Sequence, residues 1–194
     1  MTVVSERYAD AVAYAAGVHS AQRRKGTSVP YISHLLGVSS LVLEAGGDED
    51  LAIAALLHDA AEDHGGEARL TDIVERFGDR VAVIVRECSD CLLAEGQEKP
   101  DWETRKQRHL ARLTTASDDT LVVWTADKVH NARSLVTDVL LHGMDELAKF
   151  QAPPERILWY YRENLTLAER GAVPDLLVVP LRIAIDQLIG LIER

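Results

Sequence analysis

Three observations predict an all-α fold for this chain. Apolar residues recur at spacings of three and four over most of the 194 residues, as they do on the buried face of a helix. β-branched runs occur, but each lies inside a longer helical pattern, so support for strands is poor. The breaks that contain glycine or proline are short, as expected for helices packed in one domain. We therefore expect a single domain over residues 1–194, a compact bundle of about eight to ten helices.

The predicted helices follow one another with short breaks. The first spans 5–24, where Tyr8, Val12 and Ala15 recur at helical spacing, and the second spans 31–45. The third, in the segment AIAALLHDAAE, is almost entirely apolar and then abruptly acidic, which indicates a buried helix ending at a polar site. Further helices are predicted at about 70–77, 79–91, 101–114, 119–142, 153–170 and 174–193. Turn-forming residues separate these helices at Gly26–Pro30, Gly46–Asp48, His64–Gly66, Gly96–Pro100, Ser117–Asp119, Gln151–Pro154 and Gly171–Pro174.

The composition excludes several classes of protein. With 21 Lys and Arg against 31 Asp and Glu, the chain has a formal charge of -10 and is not expected to bind nucleic acid. No segment approaches the roughly 20 apolar residues that span a bilayer, and the N-terminus has no apolar signal region, so no membrane contact is expected. Cys88 and Cys91 form a lone C-x-x-C without further ligands, which favours two reduced thiols and a cytoplasmic protein.

Ionisable residues concentrate in the segment Leu56–Asp63, LLHDAAED. The adjacent pair His58-Asp59 ends an apolar helix, and the pair Glu62-Asp63 follows one turn later. Each acid of the second pair is four residues after one member of the first, so the two lie on the same helix face. Four ionisable groups at one helix end are costly unless something compensates them, and a bound cation is the simplest compensation.

Two further residues complete a candidate metal site with His58 and Asp59. His34 follows PYIS near the start of the second helix, and Asp127 lies in WTADKVHN inside an apolar stretch. Two histidines and two aspartates suit Mn²⁺, Fe²⁺ or Zn²⁺ better than Ca²⁺, which prefers oxygen ligands alone. Taken singly, His34 also fits a satisfied core histidine, and Asp127 a buried salt-bridge partner of Lys128 or of an arginine. The conjunction of all four inside apolar helices favours the metal site.

The order H…HD…D resembles that of the HD superfamily of metal phosphohydrolases. Three segments resemble the hydrolase domain of the RelA/SpoT enzymes more closely: HSAQRRKGTSVPYISH, AALLHDAAED and ADKVHNARS. No synthetase domain follows, so the chain is similar to the single-domain small alarmone hydrolases, the metazoan SpoT homologues included. This resemblance implies an HD-type helical bundle. It also implies Mn²⁺-dependent removal of the 3′-pyrophosphate from (p)ppGpp, with one ion per chain.

The resemblance also implies a role for each site residue. Metal ligands would be His34, His58, Asp59 and Asp127. Glu62 and Asp63 would position or deprotonate the attacking water. Substrate contacts would come from Arg24, stacked on the purine, from Lys25 beside the phosphates, and from Asn131 and Ser134 at the nucleoside. The substrate is thus expected to be a small nucleotide, and the sequence leaves the oligomeric state open, a homo-oligomer included.

The chain departs from the family pattern at three places. Leu35 follows the first histidine where the family usually has proline, the loop Gly26–Val29 is one residue longer than usual, and Val129-His130 replaces a pair such as Leu-Tyr. Two alternatives therefore stay open. One is another HD enzyme, acting on ppApp, NADPH or deoxynucleotides, although the basic loop before PYISH argues against most of these. The other is a nucleotide-sensing module, against which the presence of the Glu-Asp pair argues.

Overall fold

The computed structural model describes residues 2–92, 98, 100–150 and 152–193. In that part of the chain all regular structure is helical, and the only extended pairing is a single bridge between Arg23 and Pro30. The predicted all-α class is therefore confirmed. The helices are α1 (Glu6–Val18), α2 (Ile32–Glu44), α3 (Glu49–Leu57), α4 (Ala60–Asp63), α5 (Gly66–Phe77), α6 (Asp79–Cys88), α7 (Trp102–Leu113), α8 (Asp118–His142), a 3₁₀ helix (Met144–Lys149), α9 (Pro154–Arg170) and α10 (Asp175–Ile192).

The predicted bounds of α2, α7, α8, α9 and α10 agree with the structure to within one residue at each end. α6 ends earlier than predicted, at Cys88, and α5 begins earlier, at Gly66. The early start of α5 follows from Gly65, whose φ of 107° reverses the chain in a conformation that glycine adopts readily. Parts of two predicted breaks, Gly96–Pro100 and Gln151–Pro154, lie outside the described residues.

The prediction for the first helix was wrong at its C-terminal end. α1 ends at Val18, although the apolar pattern predicts helix as far as Arg24. The backbone of Arg24 instead donates to the carbonyl of Val29, and that of Tyr31 donates to the carbonyl of Gln22. These bonds between loop residues replace the next helical turn. Hydrogen bonds within the loop of residues 22–31 thus override the helical pattern.

The His-Asp pair ends an apolar helix as predicted, but the structure divides the helix predicted over AIAALLHDAAE at this pair. α3 ends at Leu57, α4 begins at Ala60, and His58 and Asp59 form the turn between them. The helical register survives this turn, because the backbone N–H of Asp63 still donates to the carbonyl of Asp59 at 3.0 Å. The Glu-Asp pair therefore stays one turn beyond the His-Asp pair, as predicted.

Helix α3 occupies the centre of the bundle. Every residue from Leu51 to Leu57 is buried, and the helix packs against α1, α2, α6 and α8. Asp48 caps its N-terminus, where the carboxylate accepts a hydrogen bond from the backbone of Leu51. A short helix that is apolar on all sides needs other helices packed around it, as α3 has. Its C-terminal end consequently delivers His58 into the interior, between α2 and α8.

The long helix α8 is the second element that positions the site. Its residues Thr120–Val129 are all buried, and the helix packs against α10, α9, α6, α2 and α3. Asp127 and Lys128 therefore lie at the centre of the molecule. None of the described helices combines the length and the apolar character that crossing a membrane requires.

Candidate metal centre

The four predicted ligands come together from three parts of the chain. His34 lies in the first turn of α2, His58 and Asp59 lie in the turn after α3, and Asp127 lies in the middle of α8. His34 Nε2 is 3.2 Å from Asp127 Oδ1, and His58 Nε2 is 2.9 Å from Asp59 Oδ2. The crossed distances are 3.8 Å between His34 and Asp59 and 3.7 Å between His58 and Asp127. Donor atoms this close can share one cation.

The geometry selects three of these residues as a group that fits a metal ion. One donor atom each from His34, His58 and Asp59 lies within 4.8 Å of the others, in the part of the chain that the structure describes. Asp127 joins this group through its 3.2 Å approach to His34. The residues present thus supply two imidazoles and two carboxylates, the mixed donor set that divalent transition metals accept.

His58 has the hydrogen bonding expected of a metal ligand. Its Nδ1 is 2.8 Å from the carbonyl oxygen of Ala55, so Nδ1 carries the proton and donates, while the lone pair stands on Nε2. Among the described residues, His58 Nε2 is a buried atom without a hydrogen bond, despite its short distance to Asp59. A buried acceptor that faces two carboxylates is satisfied by a cation between them.

The electrostatics of the two histidines also fit such a cation. Burial lowers the pKa of His34, against the opposing effect of Asp127, and a neutral imidazole is the form that binds metals. Burial alone would also lower the pKa of His58, but Asp59 and Asp127 raise that pKa well above its ordinary value. The carboxylates therefore attract positive charge strongly at this point. A metal ion competes with protons for the same nitrogen, so its binding releases protons.

Both candidate carboxylates are held by other side chains. Asp127 Oδ2 accepts a hydrogen bond from Lys128 Nζ at 2.5 Å, and Asp127 Oδ1 accepts one from Asn131 Nδ2 at 2.5 Å. Asp59 Oδ2 accepts from the hydroxyl of Tyr31 at 2.6 Å. Although burial opposes ionisation, Lys128 and the histidines lower the pKa of Asp127, and His58 lowers that of Asp59. The salt bridge with Lys128 considered from sequence is thus present, and the other oxygen of Asp127 faces the histidines.

The two predicted catalytic acids lie one turn beyond the ligands and are anchored differently. Glu62 Oε2 accepts a hydrogen bond from the backbone N–H of Asp90 at 2.9 Å, which ties it to the end of α6. Asp63 Oδ2 accepts one from Gln22 Nε2 at 2.8 Å. Burial and the neighbouring Asp59 raise the pKa of Asp63. A carboxylate with a raised pKa is a stronger base, which suits it to accept a proton from water.

Sequence reasoning missed the network that holds Asp63. The side-chain oxygen of Gln22 lies 2.6 Å from His19 Nδ1 and 2.8 Å from His64 Nε2. An amide oxygen accepts two hydrogen bonds, so both imidazoles donate to it and its NH₂ group is turned toward Asp63. The ring of His19 also stacks on Tyr31, with centroids 5.2 Å apart. The segment HSAQRRK contains both His19 and Gln22, but the contacts of Gln22 with Asp63 and His64 join segments more than 40 residues apart in the chain.

A cavity of about 470 Å³ opens beside the ligand cluster. It contains all four predicted substrate residues, Arg24, Lys25, Asn131 and Ser134. Further cations and aromatic rings that sequence reasoning did not find also line it: Lys106, Lys128, Lys149, Tyr31, Trp102, Phe150, Tyr160 and Tyr161. Asp138 is the only acid among the described lining residues, and it pairs with Lys149 at 2.8 Å. A positive cavity in an acidic chain is suited to a small polyanion with an aromatic part.

Arg24 is fixed within this cavity. Its Nη2 donates to Asn131 Oδ1 at 2.8 Å, and its guanidinium lies 5.9 Å from the ring centroid of Tyr31. Since Asn131 also donates to Asp127, one amide side chain connects the cavity arginine to the ligand cluster. Ser134 follows Asn131 by almost one turn on the same face of α8. The predicted grouping of Arg24, Asn131 and Ser134 is therefore present in space.

Comparisons with known proteins agree with this site. The sequence profile of the HD domain matches residues 11–145. The guanosine-3′,5′-bis(diphosphate) 3′-pyrophosphohydrolase MESH1 of Drosophila melanogaster is 35% identical over 137 residues, which cover 69% of this chain and 72% of the fly protein. The guanosine-3′,5′-bis(diphosphate) 3′-pyrophosphohydrolase of Aquifex aeolicus is 34% identical over 132 residues, 68% of this chain but only 18% of that longer protein.

A solved structure agrees with the sequence matches. It is of a metazoan ortholog of SpoT described as hydrolysing ppGpp and acting in starvation responses. It superposes with a TM-score of 0.72 at 26% identity, over 98% of this chain and 97% of the ortholog. An HD domain implies divalent-metal binding, and the cluster of His34, His58 and Asp59 supplies donors for it. The chain belongs to the HD domain family, with the metazoan and bacterial 3′-pyrophosphohydrolases of guanosine-3′,5′-bis(diphosphate) among its relatives.

Proposed function

We propose that this chain hydrolyses the 3′-pyrophosphate of (p)ppGpp, to give GDP or GTP and pyrophosphate, with one Mn²⁺ per chain. One observation carries the proposal: the histidine and aspartate donors converge, and Tyr31, Lys128 and Asn131, which hydrogen-bond two of them, line a cavity large enough for a nucleotide. The HD domain profile covers residues 11–145, which contain all four donors, and a relative named for this reaction is 35% identical over 137 residues. The position of each side chain then supports a particular role.

Metal binding is assigned to His34, His58, Asp59 and Asp127. A Mn²⁺ ion held there would lower the pKa of a bound water and polarise the phosphorus. Tyr31, Lys128 and Asn131 orient the two carboxylates through the hydrogen bonds described above. Such supporting contacts fix ligand geometry before substrate arrives.

Proton transfer is assigned to Asp63, with Glu62 positioning the water. The reaction adds water across the bond between the ribose 3′ oxygen and phosphorus: the hydroxide ends on pyrophosphate and a proton ends on the 3′ oxygen. Asp63 has the raised pKa of a general base, and Gln22 fixes its carboxylate by a single N–H donor. Glu62 accepts a hydrogen bond from the backbone N–H of Asp90. Each acid is thus held by a contact with a residue outside the ligand group.

Substrate recognition is assigned to two ends of the cavity. Lys25 supplies positive charge for the phosphates, and the cavity lining also contains Lys106, which pairs with Asp90, and Lys149, which pairs with Asp138 and Glu146. Arg24 presents a planar guanidinium to the purine, and its bond to Asn131 holds that plane in place. Asn131 and Ser134 contact the nucleoside from the same face of α8. Stacking tolerates any base, so adenine alarmones are expected to be accepted as well.

The proposal is tested by identifying the products of a substrate screen. Purified protein with Mn²⁺ is incubated with ppGpp, pppGpp, ppApp, deoxynucleoside triphosphates and NADPH, and products are separated by ion exchange. GDP with pyrophosphate from ppGpp is the expected result. Asp59→Ala serves as the inactive control and Asp10→Ala, an exposed aspartate of α1, as the active one. Monophosphate release alone, or cleavage at the 5′ side, would assign the chain to a different HD phosphohydrolase reaction. Tight binding without turnover would indicate a sensor.

A further inference from the structure

His130 lies directly behind the candidate ligand His34. The two rings face each other through their Nδ1 atoms, which are 2.9 Å apart, and their centroids are separated by 4.7 Å. The other nitrogen of His34, Nε2, points to Asp127 at 3.2 Å. His34 therefore has one nitrogen on the candidate metal centre and the other on a single side chain of α8.

Gly37 makes room for this arrangement. A Cβ atom at Gly37 would lie 2.4 Å from Cδ2 and 2.5 Å from Nε2 of His130, closer than real Cβ contacts come. Gly37 has no positive φ, so space and not backbone conformation is what the glycine supplies. Glycine inside a helix costs about 1 kcal/mol relative to alanine. In α2 this less favourable residue lies where the His130 ring closely approaches the helix backbone.

The two candidate histidine ligands are thus supported in different ways. The Nδ1 of His58 donates to a backbone carbonyl, that of Ala55, which no substitution removes. The Nδ1 of His34 has only the imidazole of His130 as its hydrogen-bond partner among the described residues. A single proton lies between the two facing Nδ1 atoms. If His130 holds it, the proton of His34 is on Nε2, and that nitrogen has no lone pair for a metal.

We propose that His130 is a positioning residue for His34: its Nδ1 accepts the hydrogen bond from His34 Nδ1–H, which keeps the lone pair of His34 on Nε2, toward Asp59 and Asp127. Gly37 makes this contact possible, since the absence of a side chain leaves room for the ring that accepts the bond. The inference rests on the metal site of the proposed function. It explains why histidine at this position is compatible with an intact ligand set although it departs from the family pattern.

The test measures Mn²⁺ affinity in the absence of substrate, by titration of the metal-free protein. His130→Phe keeps a ring and removes the acceptor, and it should weaken Mn²⁺ binding by about 10- to 100-fold, the usual effect of losing a partner of a metal-bound histidine. His130→Asn retains an acceptor near the Nδ1 position and should recover most of the affinity. The matched control is His142→Phe on the exposed end of the same helix, which should bind as the unaltered protein does.

A second pair of variants separates positioning from general damage to the fold. Gly37→Ala should weaken Mn²⁺ binding when His130 is present, because the new methyl group displaces the ring. In a His130→Ala background the same change should have little further effect on affinity. Since no substrate is present, the result stands whether or not ppGpp is the substrate. Unchanged affinity in His130→Phe, equal losses in the Phe and Asn variants, or additive effects of Gly37→Ala and His130→Ala would overturn the inference.

Discussion

At the scale of single residues, metal binding and proton transfer are assigned to two different aspartates, Asp59 and Asp63. The carboxylate of Asp59 faces both candidate histidines and is oriented by Tyr31, whereas Asp63, one turn later, faces Gln22. The two acids belong to one short segment yet have pKa values shifted in opposite directions, Asp59 downward and Asp63 upward. Different environments for neighbouring carboxylates are typical of sites that divide electrostatic and acid–base work.

This division predicts different losses on substitution. Asp59→Ala and His58→Ala should lose both Mn²⁺ and turnover, because they remove donors. Asp63→Asn and Glu62→Gln should retain Mn²⁺ and lose roughly two to four orders of magnitude in kcat, the usual contribution of general acid–base catalysis. Elemental analysis with steady-state kinetics checks both. If the amide variants lose metal as readily as Asp59→Ala, the acids are ligands and the division of roles is wrong.

Gln22 should act only through Asp63. Gln22→Glu keeps the acceptor for His19 and His64 but cannot donate to Asp63, so kcat should fall by roughly 10- to 100-fold, the worth of a hydrogen bond to a charged group. Mn²⁺ content should not change. A double-mutant cycle with Asp63→Asn checks the coupling, since Gln22→Glu should then have little additional effect on kcat. Gln107, on the exposed face of α7, offers the matched Gln→Glu control. If the effects of Gln22→Glu and Asp63→Asn on kcat were fully additive, the prediction that Gln22 acts through Asp63 would be wrong.

Arg24 should contribute to binding more than to chemistry. Stacking on a base acts equally in the ground state and the transition state, so Arg24→Ala should raise KM for ppGpp with a smaller change in kcat. Arg24→Lys should recover little, because an ammonium group lacks the planar surface. Steady-state kinetics at saturating Mn²⁺ measure the two parameters. A variant with unchanged KM and strongly reduced kcat would place Arg24 at the reacting phosphate.

At the scale of helices, a buried ion-pair cluster joins the end of α6 to α7. Asp90 accepts hydrogen bonds from Arg105 at 2.6 Å and from Lys106 at 2.7 Å, and its backbone N–H holds Glu62. Although burial opposes ionisation, Lys106 and Arg105 lower the pKa of Asp90 well below its ordinary value. The segment after α6, whose backbone at Asp90 holds Glu62, is therefore fixed by ion pairs as well as by packing.

The lowered pKa of Asp90 predicts a stability that depends on pH. A carboxyl group with a depressed folded-state pKa stabilises the fold above its unfolded pKa of about 3.9, and that contribution is lost as pH falls toward the folded pKa. Asp90→Asn should lower the free energy of unfolding by roughly 3 kcal/mol at neutral pH, since it leaves Arg105 buried without its partner. The difference from the unaltered protein should shrink in acid. Denaturation at pH 7 and below pH 4 checks this, with Asp10→Asn as the exposed control.

The helices also show which features the sequence could predict. Regular apolar spacing sets the bounds of α2 and α8, and both were predicted closely. The end of α1 was not, because hydrogen bonds within the loop of residues 22–31 replace the next helical turn. The turn at His58 and Asp59, which divides α3 from α4, was not predicted either. The four candidate ligands were found from motif order alone, since each motif is local. Gln22, Lys106 and Lys149 were missed because each becomes part of the site only through contacts with distant residues.

At the scale of the whole molecule, the charge around one cavity is opposite in sign to the net charge of the chain. The chain has a formal net charge of -10, yet five of the residues lining the nucleotide cavity are lysine or arginine: Arg24, Lys25, Lys106, Lys128 and Lys149. Positive charge therefore gathers in the cavity beside the candidate metal ligands. The acidic remainder of the surface disfavours long polyanions such as nucleic acids. This distribution agrees with a small nucleotide as the substrate.

We propose that cleavage of ppGpp requires one metal ion, held by His34, His58, Asp59 and Asp127. A titration of metal-free protein with Mn²⁺, in which bound metal and pyrophosphate release are recorded together, measures this requirement directly. We expect no turnover after chelation and a linear recovery that reaches its maximum at one Mn²⁺ per chain. Full turnover by protein shown to be metal-free, or stoichiometric Mn²⁺ binding by the Asp59→Ala variant, would contradict it.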